Sequence, residues 1–374
     1  MIIRYALKGA MVLACLGSFT VTALPLDKLT LPEGFKIELY ADGVKNARQM
    51  ALGEKGTLFV GSREAGLVHA VVDSDGDHKA DKVIEIASGL TMPSGLAYRD
   101  GNLYVAAISE VLMYEDIENN LANPPKAKVV IGDLPSERHH GWKYIDFGPD
   151  GWLYVPVGVP CNICQTLGGE KFDDPVYASI LKYNLQTGEK RWVAKGVRNS
   201  VGFDWHPKTN ELWFSDNGRD WLGEELPPCE INRVTEEGQH FGFPYFHGGL
   251  VADPEFGMDK QAKDYVQPEI RLRAHVAPLG IHFYTGSQFP GTYQNRLFVA
   301  EHGSWNRSDK SGYRVMMATQ NKEGKMDYEP FITGWLDGDQ VHGRPVAFLT
   351  LPDGSLLISD DFADAIYRVT FAGE

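Results

Sequence analysis

The chain is poor in cysteine, in basic residues and in long apolar runs, and each shortage excludes a class of protein. Four cysteines among 374 residues are too few for a disulfide-stapled scaffold. Lysine and arginine number 36 against 50 acidic residues, for a net charge of −14, so the basic face that nucleic acids require is not expected. No run after the N-terminus reaches the roughly 20 apolar residues of a membrane-spanning helix. The composition therefore predicts no nucleic-acid partner and no stable membrane insertion.

The N-terminus has the pattern of an export signal. The basic residues Arg4 and Lys8 precede a short apolar run, and Val21-Thr22-Ala23 offers a small-residue cleavage site. We expect residues 1–23 to be a signal peptide, which would place the mature protein in the periplasm or outside the cell. A lipid anchor on Cys15 is the alternative, because the residues before it loosely resemble a lipobox.

A hairpin pattern that recurs six times predicts the fold. Each copy is a turn rich in Gly, Asp, Asn or Pro, followed by Leu, an aromatic or aliphatic residue, and Val or its equivalent; such turns supply the positive φ of a tight reversal. The repeated leucines stand 45, 50, 59, 85 and 59 residues apart, at Leu58, Leu103, Leu153, Leu212, Leu297 and Leu356. One interval fits one four-stranded blade, with an insertion in the fourth. We therefore predict an all-β fold, a six-bladed β-propeller with four-stranded antiparallel blades, as a single domain over residues 24–374.

A short segment leads into each hairpin, and three of these segments carry chemistry. In a propeller the strand before the hairpin turn lies nearest the axis, so the six segments should meet at the central channel. His140, Arg198 with Asn199, and Arg344 stand at equivalent positions of three blades. Each alone is more simply a hydrogen-bonded or solvated side chain. Together they predict a site for a polyanionic ligand, because buried arginine is rare without an anionic partner.

Motifs around these residues follow one another in a fixed order. They are His140 with Phe147-Gly148-Pro149-Asp150-Gly151, Gly196-Val197-Arg198-Asn199, Ser215-Asp216-Asn217-Gly218-Arg219, Glu230-Ile231-Asn232, Phe241-Gly242-Phe243-Pro244, Ala300-Glu301-His302-Gly303-Ser304-Trp305-Asn306-Arg307, and Gly343-Arg344. In order and spacing they resemble the soluble glucose/sorbosone dehydrogenases. That family is a six-bladed propeller that binds pyrroloquinoline quinone (PQQ) and calcium, and the resemblance covers the chain from about residue 30 to its end.

The resemblance implies a role for each matched residue. His140 matches the catalytic base that removes the sugar hydroxyl proton as hydride moves to the quinone. Arg198 matches the arginine that stabilises the negative charge developing on reduction. Asn199 and Asn217 match polar cofactor contacts, and Arg344 matches the arginine that holds a PQQ carboxylate with its guanidinium fork.

The resemblance also implies metal ligands. The backbone carbonyls of Gly218 and Arg219 match ligands of the calcium ion that contacts the quinone, and Glu230 matches a ligand of a second, structural calcium. The family often has Pro where this chain has Arg219, and Asp where it has Cys229. The first departure changes a predicted calcium ligand, and the second changes the residue next to Glu230.

A further departure bears on the cofactor's carboxylates. The family often has a second arginine where this chain has Val346. Other partners are then needed, and Lys143, His302 and Arg307 are the candidates.

The function implied is that of a PQQ-dependent oxidoreductase acting on an aldose-type sugar or a sorbosone-like aldehyde. The chain has no haem motif, so the electron acceptor is expected to be external: a cytochrome, a quinone or a dye. A calcium-dependent lactonase on the same propeller type is one alternative, and it would need neither Arg198 nor Arg344. A non-catalytic sugar-binding propeller is another, to which Arg219 and Val346 point.

Three local features complete the expectations. Asp73-Ser74-Asp75-Gly76-Asp77-His78-Lys79-Ala80-Asp81 is either a calcium turn or an acidic hairpin tip, and His78 in place of the EF-hand glycine excludes an EF-hand. Cys161-Asn162-Ile163-Cys164 predicts a disulfide, with Cys229 left as a free thiol. Trp142, Trp221 and Trp305 are the candidates for stacking on a sugar.

Overall fold

Each of the six repeated hairpins becomes the centre of a four-stranded antiparallel arrangement. The computed structural model describes residues 24, 26–167, 170–171 and 176–373. The expected signal peptide, residues 1–23, lies outside the described residues. Within the described residues, no helix is both long enough and apolar enough to cross a bilayer.

The strands follow the chain blade by blade. After β1 (Phe35–Ala41), blade one comprises β2 (Ala47–Leu52), β3 (Leu58–Ser62), β4 (Val68–Val72) and β5 (Lys82–Ala87). Blade two comprises β6 (Gly95–Arg99), β7 (Asn102–Ala106), β8 (Val111–Tyr114) and β9 (Lys128–Ile131). Blade three begins with β10 (Asp146–Phe147) and β11 (Leu153–Val157), continues through the short pair β12 (Thr166–Leu167) and β13 (Glu170–Lys171), and ends with β14 (Ser179–Tyr183) and β15 (Lys190–Lys195).

The second half repeats this plan with insertions. Blade four comprises β16 (Phe203–Trp205), β17 (Leu212–Asp216), β18 (Pro228–Arg233) and, after the short β19 (Gln239–His240), β20 (Phe246–His247) and β21 (Val251–Ala252), the outer β22 (Ile270–Ala274). Blade five comprises β23 (Pro278–Phe283), β24 (Leu297–Glu301), β25 (Arg314–Gln320) and β26 (Met326–Ile332). The pair β27 (Leu336–Asp337) and β28 (Gln340–Val341) precedes β29 (Pro345–Thr350), β30 (Leu356–Asp360) and β31 (Ala365–Phe371) of blade six. In the described part of the chain, 3-10 helices lie at Ile117–Asn119, Ala262–Asp264 and Gly291–Tyr293.

The predicted all-β, six-bladed propeller is confirmed by this topology. The long fourth interval is also confirmed as an insertion: it holds β19 to β21, and β19 adds to β15 in parallel as a fifth strand of blade three.

The sixth blade closes the ring with the N-terminal strand. β1 pairs antiparallel with β31, from Phe35 opposite Phe371 to Ala41 opposite Ile366. The outer strand of the last blade therefore comes from the start of the chain. Because β1 leads directly into blade one, this pairing ties the beginning of the first blade to the last blade and closes the ring.

Turn chemistry and leucine burial explain why the repeats fold as blades. At the second hairpin Asp100 and Gly101 have φ of 51° and 79°, the left-handed values that an Asp-Gly turn supplies. The repeated leucines are buried throughout, and Leu58, Leu103 and Leu153 have no exposed surface. Each fully buried leucine stabilises the fold by about 1.5–3 kcal/mol relative to an exposed one. The repeat is thus a core motif as well as a turn motif.

The cysteines are paired as predicted. Cys161 and Cys164 form a disulfide, and Cys229 is free and buried. Burial raises the pKa of the Cys229 thiol to about 11, so this thiol is unreactive in the folded protein.

Thiol counting checks this pairing in solution. Denatured protein that lacks residues 1–23 should give one reactive thiol, that of Cys229, because the other two cysteines of the described residues are oxidised. The folded protein should give almost none, because that thiol is buried and protonated. Three thiols under denaturing conditions would show that the disulfide is absent, and adding a reductant should produce that number as a control.

Candidate active site

Residues of blades one, three, four, five and six line a central chamber of about 430 Å³. The segments that lead into β10, β16 and β29 each present a predicted residue to it. Seven of the ten predicted site residues line it: His140, Arg198, Asn199, Asn217, Gly218, His302 and Arg344. The sequence-based expectation that the segments meet at one place is therefore correct for these residues.

The other three predicted residues lie near the chamber but do not line it. Arg307 lines an adjoining cavity of about 520 Å³, and its guanidinium bonds to Glu225 at 2.6 Å. Arg219 turns its side chain to Asp253, with which it forms an ion pair. Glu230 lines a small void beneath Gly218.

His140 is held as a neutral base. Its Nδ1 lies 2.8 Å from the carbonyl oxygen of Val159, which can only accept, so Nδ1 carries the proton and Nε2 is the basic nitrogen. Burial, and then the positive charge of Arg198, hold the pKa of His140 well below its usual range. The residue adopts a left-handed φ of 54°, which a non-glycine residue rarely takes. A Cβ at Gly158 would lie 2.7 Å from the His140 Cβ, so only glycine lets the two segments approach this closely.

Arg198 is buried and fixed by three acceptors. Its Nε and Nη2 donate to the backbone oxygen and Oδ1 of Asn162, each at 2.9 Å, and its Nη1 donates to the backbone oxygen of Asn217 at 3.0 Å. The carboxylate of Asp220 lies 3.6 Å from Nη2. The guanidinium therefore has a single orientation at the chamber wall.

A buried carboxylate holds the backbone at the same wall. Asp216 accepts from the backbone N–H of Arg198 at 2.8 Å and of Asn199 at 2.6 Å. The Asn217 amide in turn donates to the backbone oxygens of Asn199 and Pro278, both at 3.0 Å. Blades four and five are thus linked directly beside the chamber.

On the opposite wall, Asp361 connects Arg48 to His302, and His302 in turn contacts Arg344. Asp361 accepts from Arg48 Nη1 at 2.9 Å and from His302 Nε2 at 2.7 Å. His302 Nδ1 then faces Arg344 Nη1 at 3.3 Å, and the other Arg344 nitrogen donates to the Tyr313 hydroxyl at 3.0 Å. Burial lowers the pKa of His302 to about 4, so its ring is neutral and takes this donor and acceptor pattern.

Sequence reasoning missed Arg48, Arg63 and Asp361. Arg48 lines the chamber, and it heads the lead-in segment of blade one, so its position in the repeat was the signal that could have found it. Arg63 lies over the Trp142 ring at 5.3 Å and 3.8 Å from the Asp361 carboxylate. Neither of these last two residues had a signal of its own in the sequence.

The chamber carries more positive than negative charge. Arg48, Arg63, Arg198 and Arg344 line it, and a guanidinium group is a cation at neutral pH. Among the residues that the structure describes, the carboxylates within ion-pair distance of these arginines are Asp220 and Asp361. Four cations against two carboxylates leave an excess that favours an anionic ligand.

Beneath the chamber floor, the two buried acidic residues Asp216 and Glu230 are direct partners across the β17–β18 pair. Burial raises the pKa of both Glu230 and Asp216, and the charge of Asp216 adds to the effect on Glu230. Glu230 accepts from Asn232 Nδ2 at 2.9 Å and from the backbone of Gly248. Because two adjacent buried charges are costly, one of the two groups keeps its proton near neutral pH unless a cation binds there.

The acidic hairpin tip between β4 and β5 lies at the surface, and its three aspartates do not line the chamber. Carboxylate oxygens of Asp73, Asp75 and Asp81 lie within 4.8 Å of one another. Asp73 also accepts from the backbone of Gly76 and His78, at 2.8 and 2.9 Å. These hydrogen bonds account for the turn without a metal, so a calcium ion here stays a prediction.

A family model described as "Domain of unknown function (DUF7133)" matches residues 22–371 of the chain. The chain belongs to this family. This DUF7133 chain is 36% identical over 373 residues to an "Uncharacterized protein" of Borreliella burgdorferi, a match that covers 95% of this chain and 94% of that protein.

More distant relatives carry functional names. The DUF7133 chain is 22% identical over 419 residues to a "Pyrroloquinoline quinone-dependent pyranose dehydrogenase" of Coprinopsis cinerea, covering 92% of this chain. It spans 55% of that relative's length, about half.

Solved structures share the fold. The calcium structure of a Trichoderma reesei protein of Carbohydrate-Active Enzymes Family AA12 gives a TM-score of 0.79 at 17% identity, covering 94% of this chain and 99% of that one. The holo form of the pyranose dehydrogenase PQQ domain from Coprinopsis cinerea gives 0.74 at 15% identity, covering 91% and 97%. The predicted likeness to PQQ-dependent sugar dehydrogenases is thus supported at the level of fold and distant sequence similarity.

The DUF7133 chamber also contains buried polar atoms that lack a partner. Among the described residues these include Asn199 Oδ1, Trp142 Nε1 and Asn306 Oδ1, and all three side chains line the chamber. A buried polar atom without a hydrogen bond costs about 1–3 kcal/mol. The donor set of this chamber therefore fits a ligand that is both anionic and rich in hydrogen-bonding groups, as PQQ is.

Proposed function

We propose that the chain is a PQQ-dependent sugar dehydrogenase that takes a hydride from C1 of an aldose-type sugar, the carbon that carries the hydroxyl group or the hydrated aldehyde, while the hydroxyl on that carbon loses its proton. The observation that carries the proposal is the chamber itself. A neutral histidine with a basic nitrogen lies in a chamber that is lined by four guanidinium groups and by unpaired polar atoms. The similarity to a PQQ-dependent pyranose dehydrogenase over 92% of the chain supports it.

PQQ, when bound, supplies the hydride acceptor. Arg344 would hold one of its carboxylates, because a guanidinium fork matches a carboxylate in charge and shape. Arg48 and Arg63 are further partners for its negative charges, and they take the place of the second arginine that Val346 replaces. Arg198 would stabilise the negative charge that develops on the quinone oxygen.

His140 removes the proton from the sugar hydroxyl. Its protonated Nδ1 is fixed on the Val159 carbonyl, so Nε2 is oriented to accept a proton from a group in the chamber. Its depressed pKa keeps Nε2 unprotonated at neutral pH, and the nearby Arg198 charge contributes to this. The sugar itself would stack on Trp305, which is 67% exposed at the rim and packs edge-on against Trp221 at 5.7 Å.

Calcium would bind at the chamber floor. The backbone carbonyls of Gly218 and Arg219 are candidate oxygen ligands for the ion that contacts the cofactor. Glu230 is a candidate ligand of a second calcium, where the paired carboxyls need a cation or a proton.

Replacing Glu230 by glutamine tests the second calcium. The folded carboxyl keeps a proton that the unfolded one loses near its ordinary pKa of 4.5, so the calcium-free protein should lose stability as the pH rises above that value. Glu230→Gln should flatten this loss and remove the rise in Tm that calcium gives to the unmutated protein. Exposed Glu323→Gln is the matched control. If calcium still raised the Tm of Glu230→Gln by the same amount, Glu230 would not be a ligand.

The structure favours the dehydrogenase over the lactonase. A lactonase would surround a central metal with carboxylates. Among the described residues, the group of three or more metal-binding side chains that comes close enough lies at Asp73, Asp75 and Asp81, outside the chamber. The chamber wall instead carries arginine, which a calcium-centred hydrolase does not need.

The proposal also includes the location of the protein and its electron acceptor. We place the protein in the periplasm or outside the cell, after removal of residues 1–23. Electrons then pass to an external acceptor, a cytochrome, a quinone or a dye.

A single spectroscopic experiment tests the proposed function. The absorbance spectrum of the protein should change on adding PQQ with calcium, and change again on adding an aldose, as the bound quinone is reduced. The same additions without protein are the control. A protein that binds no PQQ in the presence of calcium would rule out the dehydrogenase and favour the non-catalytic propeller.

A further inference from the structure

The disulfide loop at Cys161–Cys164 contacts the chamber wall through Asn162. Asn162 lies between the two cysteines and contacts two elements that are distant in sequence. One is the guanidinium of Arg198, and the other is the backbone of Asp220. The sequence identified this loop only by its cysteines, and the proposed reaction gives it no role.

The contacts to Arg198 use both oxygens of Asn162. The backbone oxygen accepts from Nε and Oδ1 accepts from Nη2, each at 2.9 Å. Hydrogen bonds from a charged donor are roughly twice as strong as neutral ones. Two of the three protein acceptors that orient this guanidinium therefore belong to one residue.

The contacts to Asp220 use both ends of the same amide. Oδ1 accepts from the Asp220 N–H at 2.8 Å, while Nδ2 donates to the Asp220 backbone oxygen at 3.2 Å. Asp220 directly follows Gly218 and Arg219, whose carbonyls are the candidate calcium ligands. One amide thus holds both the arginine and the neighbouring turn.

The loop that carries Asn162 is itself anchored. The Cys161–Cys164 disulfide closes the backbone around it, and Cys161 and Ile163 pack against a cluster of Val159, Ala178 and Phe243. Cross-linking and apolar packing both reduce the number of conformations open to the loop. The position of Asn162 is therefore fixed before any ligand binds.

We propose that Asn162 is a positioning residue that fixes the Arg198 guanidinium and the turn at residues 218–220, and that the disulfide holds Asn162 in place. Its contribution to the reaction rests on the proposed function. The positioning itself does not, because every contact is between groups of this chain.

Hydrogen exchange in the protein without cofactor tests the positioning. Asn162→Ala removes the acceptor of the Asp220 N–H, so the peptide covering residues 217–221 should exchange at least about tenfold faster. Asn162→Asp keeps an acceptor oxygen at that position and should restore slow exchange. Asn184→Ala is the matched control, since Asn184 Oδ1 also accepts two backbone N–H groups but lies in the turn between β14 and β15. Unchanged exchange in Asn162→Ala would overturn the proposal.

The disulfide has its own test. Replacing Cys161 and Cys164 by serine leaves the chemistry of Asn162 intact but opens the loop, so exchange at residues 217–221 should again increase, though less than in Asn162→Ala. Exchange as slow as in the unmutated protein would show that the disulfide does not contribute.

Kinetics on the cofactor-loaded enzyme then test the role in the reaction. Asn162→Ala should lower kcat about 10- to 100-fold, as expected for a displaced catalytic group, with the KM for sugar within about twofold. A raised KM with unchanged kcat would contradict an action through Arg198. If the unmutated protein lacks PQQ-dependent activity, the proposed function fails, and the exchange result still decides whether Asn162 positions the turn at residues 218–220.

Discussion

Replacing His140 by alanine should lower sugar turnover about 10²- to 10⁴-fold, the usual contribution of a positioned general base. PQQ should still bind, because the imidazole faces the substrate hydroxyl and the arginines supply the charge that holds the cofactor. The measurement is a titration with PQQ in calcium, followed by the rate of quinone reduction at saturating sugar. His342→Ala, which changes a histidine outside the chamber, is the control. Near-full activity of His140→Ala would mean that the base is another group.

His140 also sets the pH dependence of kcat/KM. The base works when Nε2 is unprotonated, so kcat/KM should fall as the pH drops through the pKa of His140. Burial and Arg198 hold that pKa well below 6.5 in the free enzyme. The acid limb of the profile should therefore lie below pH 6.5, with no further rise between 6.5 and 7.5. A limb centred at 6.5 or above would indicate an unshifted histidine or a different base.

Replacing Arg344 by alanine should give the opposite pattern, a loss of cofactor binding. A charge-assisted contact contributes about 1.5–3 kcal/mol, so the Kd for PQQ should rise at least about 10- to 100-fold. Arg344 is the guanidinium that donates to the neutral partners Tyr313 and His302, which leaves its charge available for a ligand. At saturating PQQ, turnover should largely recover.

Three further variants separate the role of the Arg344 charge from that of its planar fork and from the role of Arg198. Arg344→Lys keeps the charge but loses the planar fork, so its loss of affinity should be intermediate. Exposed Arg191→Ala should leave the Kd unchanged. Arg198→Ala should mainly slow the reduction of bound quinone, with a smaller effect on binding. Equal PQQ affinity in Arg344→Ala and the unmutated protein would show that its guanidinium holds no carboxylate of the cofactor.

The fold was predictable because its determinants are local. A turn with positive φ followed by a buried leucine specifies a hairpin within about ten residues, and six such hairpins specify six blades. The closure of the ring was not predictable in this way. Arg368 of β31 and Glu38 of β1 form an ion pair across 330 positions of sequence, and no local pattern indicates that partnership.

The candidate site was likewise predictable only in part. His140, Arg198 and Arg344 could be found because they occupy equivalent places in a repeat whose geometry brings those places together. Arg48 occupied such a place too, but its partner Asp361 comes from the opposite end of the chain. Arg307 belonged to a matching motif, yet its guanidinium ends on Glu225 at the adjoining cavity.

The sequence by itself determined the propeller, its six blades and the ring of lead-in residues, since turn chemistry and side-chain burial act over short stretches of chain. Only the tertiary structure decided how each of those residues is used. The tautomer of His140 depends on the Val159 carbonyl, and the direction of Arg198 depends on Asn162. These partners come from the next hairpin or from an inserted loop, and a side chain's charge, tautomer and orientation are fixed by the groups packed against it in space.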